Sequence, residues 1–382
     1  MLVREINLVN FRNLRNQTIR FTHRVTVVVG NNGQGKTNLL ESIYFLSHVK
    51  SFRVSAAREL INWEAVSRSL DGAEVSAIID AEAGTKHIAC RIAGNRRSVL
   101  INEKRVKKAS DFFGQLRVIE FTPDDLQLIK DGPAERRQFL DRLLSLIDPL
   151  FVEHAVAYER ALKHRNALLK EVLKGGLPPD ALNGGLATWD ELLVRHGVII
   201  SQKRFELIAS LKNSFRLVYQ ELANSADEDA ELGFKSDYMR GAQPLSREAL
   251  LEQLREDRTI DSRSGRTNHG SHRDDLLVTI DTGSGMRDAR NAASQGQTRS
   301  LVLALKLSAV ELIKAQTGEE PIVLLDDIES ELDVTRRGAL YELIRRSKSQ
   351  VLLTTTEFSP EVRDYLGEHA LMRLKSGGIE LE

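Results

Sequence analysis

Gly30-Asn31-Asn32-Gly33-Gln34-Gly35-Lys36-Thr37 has the spacing G-x-x-x-x-G-K-T, between a β-branched run, Arg24 to Val29, and a helical pattern from about Lys36 to His48. These residue types suit a triphosphate. The glycines let successive backbone N–H groups turn inward around phosphate oxygens. Lys36 supplies a point charge to the β and γ phosphates, and the Thr37 hydroxyl can ligate Mg²⁺. An ordinary glycine-rich turn has no use for Lys-Thr at the helix start, so ATP with Mg²⁺ is the expected ligand.

Pro321-Ile322-Val323-Leu324-Leu325-Asp326-Asp327 is an apolar strand ending in two carboxylates. Taken alone it is either a strand end with solvated acids or the acidic half of a nucleotide site. In the second reading Asp326 holds Mg²⁺ and Asp327 orients or deprotonates the attacking water. The phosphate loop favours the second. Ala293-Ser294-Gln295-Gly296-Gln297 precedes a long helical pattern, Thr298 to Ala315. Ser294 either merely caps that helix or, with Gly296, opens a second phosphate-binding surface of free N–H groups at the positive end of the dipole.

A third cluster carries charge. Lys86, Arg91, Arg96, Arg97, Lys104, Arg105, Lys107 and Lys108 face a single acid, Glu103, within 86–108. On hairpins these make a compact basic face that neutralises DNA phosphates without reading bases, or else a solvated charged surface. Few aromatics interleave, so base stacking is not indicated. Arg263, Arg266 and Arg273 are candidate additions to it.

The elements that must hold these groups are legible in outline. From Glu74 to Val106 short alternating segments are punctuated by Ala93-Gly94-Asn95 and Asn102-Glu103, which predicts antiparallel hairpins. Thr122-Pro123-Asp124-Asp125 predicts a helix start, and Pro133 another. From about Phe151 to Leu222 the period is helical, broken at Gly175-Gly176-Leu177-Pro178-Pro179, which predicts an antiparallel helical arm. A polar stretch, Asp261 to Gly270, leads into a second strand-and-helix pattern. The expected architecture is α/β: a P-loop ATPase head split in sequence, 1–130 and 268–382, with a β-rich flank and an inserted arm, 131–267.

At 382 residues the chain is long enough for more than one core. Lys plus Arg and Asp plus Glu balance at 54 each, so any DNA-binding field must be local. No apolar stretch reaches the ~18 uncharged residues of a membrane span, and a soluble cytoplasmic protein is expected. Cys90 is the sole cysteine, which excludes an internal disulfide and a cysteine zinc site; it reads as a small core residue.

The segment around Ser294 resembles the signature motif of the ATP-binding-cassette superfamily, and Glu331-Leu332-Asp333 its D-loop. That resemblance implies a homodimer in which the Ser294-Gln295-Gly296-Gln297 of one subunit covers the γ-phosphate held by the other, with Asp333 nearby. The gap of about 260 residues between phosphate loop and signature excludes the transporter layout, and the arm is far too short for the chromosome-maintenance ATPases. Nearly end to end the chain resembles the RecF family of bacterial repair proteins. The match runs through Asn10-Phe11-Arg12-Asn13-Leu14, Gly35-Lys36-Thr37-Asn38-Leu39-Leu40-Glu41, Ser51-Phe52-Arg53, Thr122-Pro123-Asp124-Asp125-Leu126 and Glu135-Arg136-Arg137. It continues in His272-Arg273-Asp274-Asp275-Leu276, Ser294-Gln295-Gly296-Gln297, Asp326-Asp327 and Ser330-Glu331-Leu332-Asp333. Glu329 stands where an apolar residue is common, Ala293 lacks the usual aromatic, and Gly270-Ser271-His272 replaces Gly-Pro-His.

The family resemblance implies binding of single-stranded, double-stranded and junction DNA. It also implies ATP-driven dimerisation, weak DNA-stimulated ATPase activity, and cooperation with RecO and RecR in loading RecA for repair, replication restart and SOS induction. By the same resemblance Arg12, Asn13 and Asn38 lie near the nucleotide, Gln127 in the loop that senses the metal, and Arg53 near phosphates or DNA. Arg12 and Arg53 read equally well as solvated charges. Two alternatives are a P-loop phosphotransferase acting on a small molecule and a scaffold that binds ATP structurally.

Overall fold

The computed structural model describes residues 1–382 except 15, 68–71, 177, 179–181, 224–227, 284, 329–331, 359–362, 365, 376–377 and 382. Near the N-terminus an antiparallel sheet forms from β1 (Leu2–Val9), β2 (Gln17–Arg20), β4 (Gly72–Ala81), β5 (Gly84–Ala93), β6 (Arg96–Ile101) and β7 (Lys104–Arg105), in the order β2-β1-β4-β5-β6-β7. This is the expected β-rich flank. Asn102 and Glu103 both take positive φ, 48° and 63°, so the β6–β7 hairpin turns on the two residues the sequence marks.

A second sheet comprises β3 (Val25–Val29), β8 (Val118–Phe121), β14 (Ile322–Asp326), β15 (Val351–Thr355), β16 (Ala370–Lys375) and β17 (Gly378–Leu381), ordered β17-β16-β3-β15-β14-β8. All neighbours are parallel except β16–β17. Strands β3, β14 and β15 are buried at every residue, as parallel strands covered on both faces must be. Alternate side chains feed different cores. Val25, Val27 and Val29 join one cluster with Leu325 and Leu353, whereas Val28, Leu324 and Leu352 join another with α1 (Lys36–His48) and the flank. The sheet ends are thereby fixed from both sides.

Short helices α2 (Trp63–Ser67) and α3 (Gln127–Lys130) lie in the first part of the chain. The Thr122 start is a capping box with Asp125, but the chain makes a single 3₁₀ turn and α3 before breaking at Gly132. Then come α4 (Pro133–Ile147), α5 (Phe151–Leu173), α6 (Leu182–Gly185) and α7 (Ala187–Ala223). Tyr158 meets Gly197 while Arg165 meets Asp190, so α5 and α7 run antiparallel. Leu177 and Pro179 of the expected break lie outside the described residues.

After α7 come β9 (Asp229–Lys235), the hairpin β10 (Met239–Arg240) and β11 (Gln243–Pro244), α8 (Arg247–Glu256) and α9 (Arg258–Ser264). The polar stretch from Asp261 is packed rather than strung out: Asp261 is fully buried and accepts from Arg165 at 2.6 Å and Asn268 at 2.9 Å. Next are β12 (Asp275–Asp281), β13 (Arg287–Asp288), α10 (Ala289–Ala292), α11 (Gln295–Thr317) and, after β14, α12 (Val334–Arg346). β12 pairs with β9, so the sheet β13-β12-β9 straddles the 267/268 division. Among the described residues no helix is long and apolar enough to cross a membrane.

Candidate nucleotide site and basic edge

The chain leaves β3 at Gly30, where a Cβ would lie 2.6 Å from the Leu374 carbonyl oxygen, so only glycine fits. It enters α1 through Gly35, whose φ of 112° again requires glycine. No side chain caps α1. Its first N–H groups therefore keep the anion-binding role that a capping oxygen would take from them. Lys36 is buried and folds across the loop, its Nζ donating to Gly30 O at 2.5 Å and Asn31 O at 3.2 Å. Burial lowers its pKa while Asp327 and Asp326 work in the opposite direction.

Across the sheet, β15 separates β3 from β14 and brings Thr354 opposite Asp326. Asp326 Oδ1 accepts from Thr37 Oγ1 at 2.9 Å and from Thr354 Oγ1 at 2.8 Å. Burial raises its pKa, against those two hydrogen bonds, and the charge of Asp327 adds to the rise. Asp327 turns the chain at φ 49°, with its N–H donating to Thr354 Oγ1 at 3.0 Å. A cavity of about 340 Å³ is lined by Asn13, Asn32, Gly33, Gly35, Lys36, Thr37, Asn38, Arg53, Asp326 and Asp327. Phosphate donors, hydroxyl and carboxylates thus converge from both ends of the chain, Thr37 and Asp326 lying 289 positions apart.

The remaining expected residues divide into those the fold gathers there and those it does not. Asn13 donates to Gln34 O at 2.9 Å and accepts from Asn38 Nδ2 at 2.7 Å, and Arg53 donates to Asn38 Oδ1 at 2.9 Å. Asn31 and Asn32 are exposed on the loop. Arg12, expected near the nucleotide, instead makes a bidentate pair with buried Glu41 at 2.9 and 2.8 Å and does not line the cavity. Gln127, expected beside the metal, is exposed at the start of α3 and does not line it either.

Ser294 also stands outside this cavity. It is the N-cap of α11: its Oγ accepts from Gln297 N at 3.2 Å, and Gln297 Oε1 accepts from Ser294 N at 2.8 Å. Ser294 and Gln295 are exposed, so the signature turn presents a helix N-terminus to the surface. Gln297 also donates to Glu228 Oε1 at 3.0 Å. Asp333 is half exposed and pairs with Arg336. Glu329, Ser330 and Glu331 lie outside the described residues.

On the flank, Arg96, Lys104, Arg105, Lys107 and Lys108 are exposed. Arg97 is spent internally, donating to Val49 O at 2.9 Å and Ser55 O at 3.3 Å. Arg91 pairs with Glu74 at 2.6 Å, and Lys86 donates to Gln115 at 2.7 Å. Among the described residues no ion pair is found for Arg96 on β6 or for Lys104, Arg105, Lys107 and Lys108 on β7 and the segment after it. Sequence reasoning missed Thr354, whose hydroxyl donates to the Asp326 carboxylate and accepts from the Asp327 backbone N–H. The signal was the three threonines Thr354-Thr355-Thr356 that end the apolar run Val351-Leu352-Leu353, polar side chains where a buried strand would continue apolar.

The family model for the RecF/RecN/SMC N terminal domain matches residues 2–362. The DNA replication and repair protein RecF of Trichlorobacter lovleyi is 35% identical over 382 residues, covering 100% of this chain and 99% of that one. RecF of Myxococcus xanthus is 37% identical over 355 residues, 92% of this chain and 89% of its own. The solved ATP complex of the recombination mediator RecF of the RecFOR pathway superposes with a TM-score of 0.86 at 30% identity, covering 100% of this chain and 97% of that one. An Smc head bound to the C-winged helix domain of ScpA shares the fold, with a TM-score of 0.59 at 18% identity over 100% of this chain and 97% of that chain. A chain with this loop, these carboxylates and these full-length likenesses belongs to the RecF family of DNA replication and repair proteins, ATPases with the ABC/SMC head fold.

Proposed function

We propose that this chain is an ATP-gated clamp that closes on DNA as a homodimer and opens after slow hydrolysis. The observation that carries the reading is a separation. The phosphate-loop cavity holds Lys36 and both carboxylates but no residue of the signature turn, which faces outward at a helix N-terminus. Each chain then has two incomplete halves, and a second chain supplies what the first lacks. Head (1–130 and 268–382) and arm (131–267) are the working units of this reading, placed in the cytoplasm with the DNA.

Backbone groups from Gly30 to Gly35, with Lys36, Thr37 and Asn38, would hold the triphosphate. Thr37 and Asp326 offer hard oxygen donors 2.9 Å apart, the donor type Mg²⁺ prefers, and the buried carboxylate gains from a nearby cation. Bound there, Mg²⁺ would neutralise phosphate charge. Asp327 accepts a proton from water as the water oxygen bonds to the γ-phosphorus and the bond to the departing ADP oxygen breaks. Ser294, Gln295, Gly296 and Gln297 of the partner subunit, with its Asp333, cover that phosphate. Asp327 is one methylene shorter than glutamate, which holds the base back from the water and slows turnover. In this reading Arg12 and Gln127 reach the nucleotide only if their loops rearrange on closure.

Cations at 104–108 with Arg96 would bind the backbone of single-stranded, double-stranded and junction DNA. The solved relative's RecFOR pathway supports work with RecO and RecR, upstream of RecA loading, replication restart and SOS induction. Single-turnover hydrolysis measured with and without gapped DNA tests the clamp: a faster rate on DNA is expected. Equal rates would favour a small-molecule phosphotransferase, and no hydrolysis a structural ATP scaffold.

A further inference from the structure

Arg336, in the first turn of α12, reaches the signature turn of its own chain. Its Nε donates to Ser300 Oγ on α11 at 2.7 Å, its backbone N–H donates to Asp333 Oδ1 at 3.0 Å, and its guanidinium pairs with Asp333 Oδ2. The same guanidinium lies over Gly296: a Cβ built there would stand 3.2 Å from Nη2 and 3.3 Å from Nη1. Gly296 is therefore small for Arg336 as well as for any phosphate.

This arrangement breaks a local rule. A cation beside a helix N-terminus is repelled by the positive end of the dipole. Such conflicts are expected where function outweighs local preference. Here the cation is tolerated because Asp333 pairs with it and Ser300 holds it across the turn. The side chain is only 20% exposed while Asp333 is 51% exposed, so the fork is held in place and the acid can be covered by another surface. Arg's planar donor set allows both grips at once, which a lysine ammonium on a flexible stem cannot reproduce.

We infer that Arg336 is a positioning residue for the half-site given in trans. It locks Asp333 and the signature turn into one block that meets the partner's triphosphate. The inference rests on the shared-site reading above.

The test uses full-length chains and three readouts: fluorescent ATP binding at dilute monomer, ATP-dependent dimerisation by sedimentation, and single-turnover hydrolysis. Arg336→Ala should bind nucleotide like the unaltered chain, yet dimerise and hydrolyse about ten- to a hundredfold less well, the scale of losing one charged hydrogen bond. Arg336→Lys should recover part of the hydrolysis, and it stands in if the alanine chain does not fold. Mixed with Lys36→Ala chains, Arg336→Ala should regain activity, because one composite site then has neither lesion. Weakened nucleotide binding by dilute Arg336→Lys, or no recovery on mixing, overturns the inference. The control is Ser294→Arg mixed with Lys36→Ala. If that pair recovers and Arg336→Ala does not, only the role of Arg336 fails; if neither recovers, the shared site itself fails.

Discussion

The Thr37 hydroxyl donates to Asp326 Oδ1 at 2.9 Å, joining the first turn of α1 to the end of β14 across the intervening strand β15. That bond brings together two motifs 289 positions apart, and in the proposed mechanism its two oxygens are the ones that would hold Mg²⁺. Asp326→Asn should therefore lose most Mg²⁺-dependent stabilisation of bound nucleotide, since an amide has half the carboxylate's oxygen and none of its charge. Titrating nucleotide with and without Mg²⁺ checks it; an unchanged Mg²⁺ effect would remove Asp326 from the metal site.

Among the described residues Lys36 is the one lysine lining the cavity, and its ammonium spans the loop to Gly30 O and Asn31 O. Lys36→Ala should bind ATP at least about tenfold more weakly, the scale of one charge-assisted hydrogen bond. Equilibrium binding with circular dichroism as a fold check decides it. Wild-type affinity in a folded variant would sink the phosphate-loop assignment.

Lys104, Arg105, Lys107 and Lys108 are all exposed. Replacing the four by alanine should weaken DNA binding and flatten its salt dependence by about 0.9 in log–log slope for each duplex phosphate that is no longer neutralised. Nucleotide binding should be spared. An unchanged slope would place the DNA elsewhere and leave this edge as a solvated face.

His48 packs against the Tyr44 ring at 4.1 Å between centroids, and burial holds its pKa down at about 4 despite the nearby charge of Glu120. Burial holds His272 at about 4 as well. An unfolded histidine titrates near 6.5, so between about pH 6.5 and 4 the unfolded chain binds more protons than the folded one. Stability is full above that window and falls as pH drops through it, by up to about 1.4 kcal/mol per pH unit for each histidine. Urea midpoints at pH 7 and 5 should show the loss, and His48→Gln should shrink it. An identical pH slope in His48→Gln would mean that His48 is not kept neutral by the fold.

The head is legible in sequence because its signals are local. Val25 to Val29 is β-branched at every position, and the glycines and Lys36-Thr37 follow at fixed spacing, so strand, loop and helix can be placed without knowing what packs on them. The Asn102-Glu103 hairpin is legible for the same reason. Arg12 shows the limit. Its neighbours in the chain resemble a nucleotide-facing segment, but Glu41, 29 positions away, takes its Nε and Nη2 and the Glu59 carbonyl takes its Nη1. Arg97 is diverted likewise by the carbonyls of Val49 and Ser55. Charge can be read from the sequence, whereas the partner that consumes it comes from tertiary packing. Thr354 and Arg336 escape notice because each matters only through strands or helices that lie beside it in space.

The central claim is that one chain's Ser294 completes the site holding the other chain's Lys36. Its most direct test is hydrolysis by an equimolar mixture of Ser294→Arg and Lys36→Ala chains. Each alone should be inactive, the first because a bulky cation replaces a small donor beside the γ-phosphate, the second because it lacks the phosphate-binding lysine. In the mixed dimer one composite site carries both lesions and the other neither, so activity should return in the mixture and rise with the fraction of mixed dimers. Activity that stays absent on mixing, while both chains fold and dilute Ser294→Arg still binds ATP, contradicts a site shared between subunits.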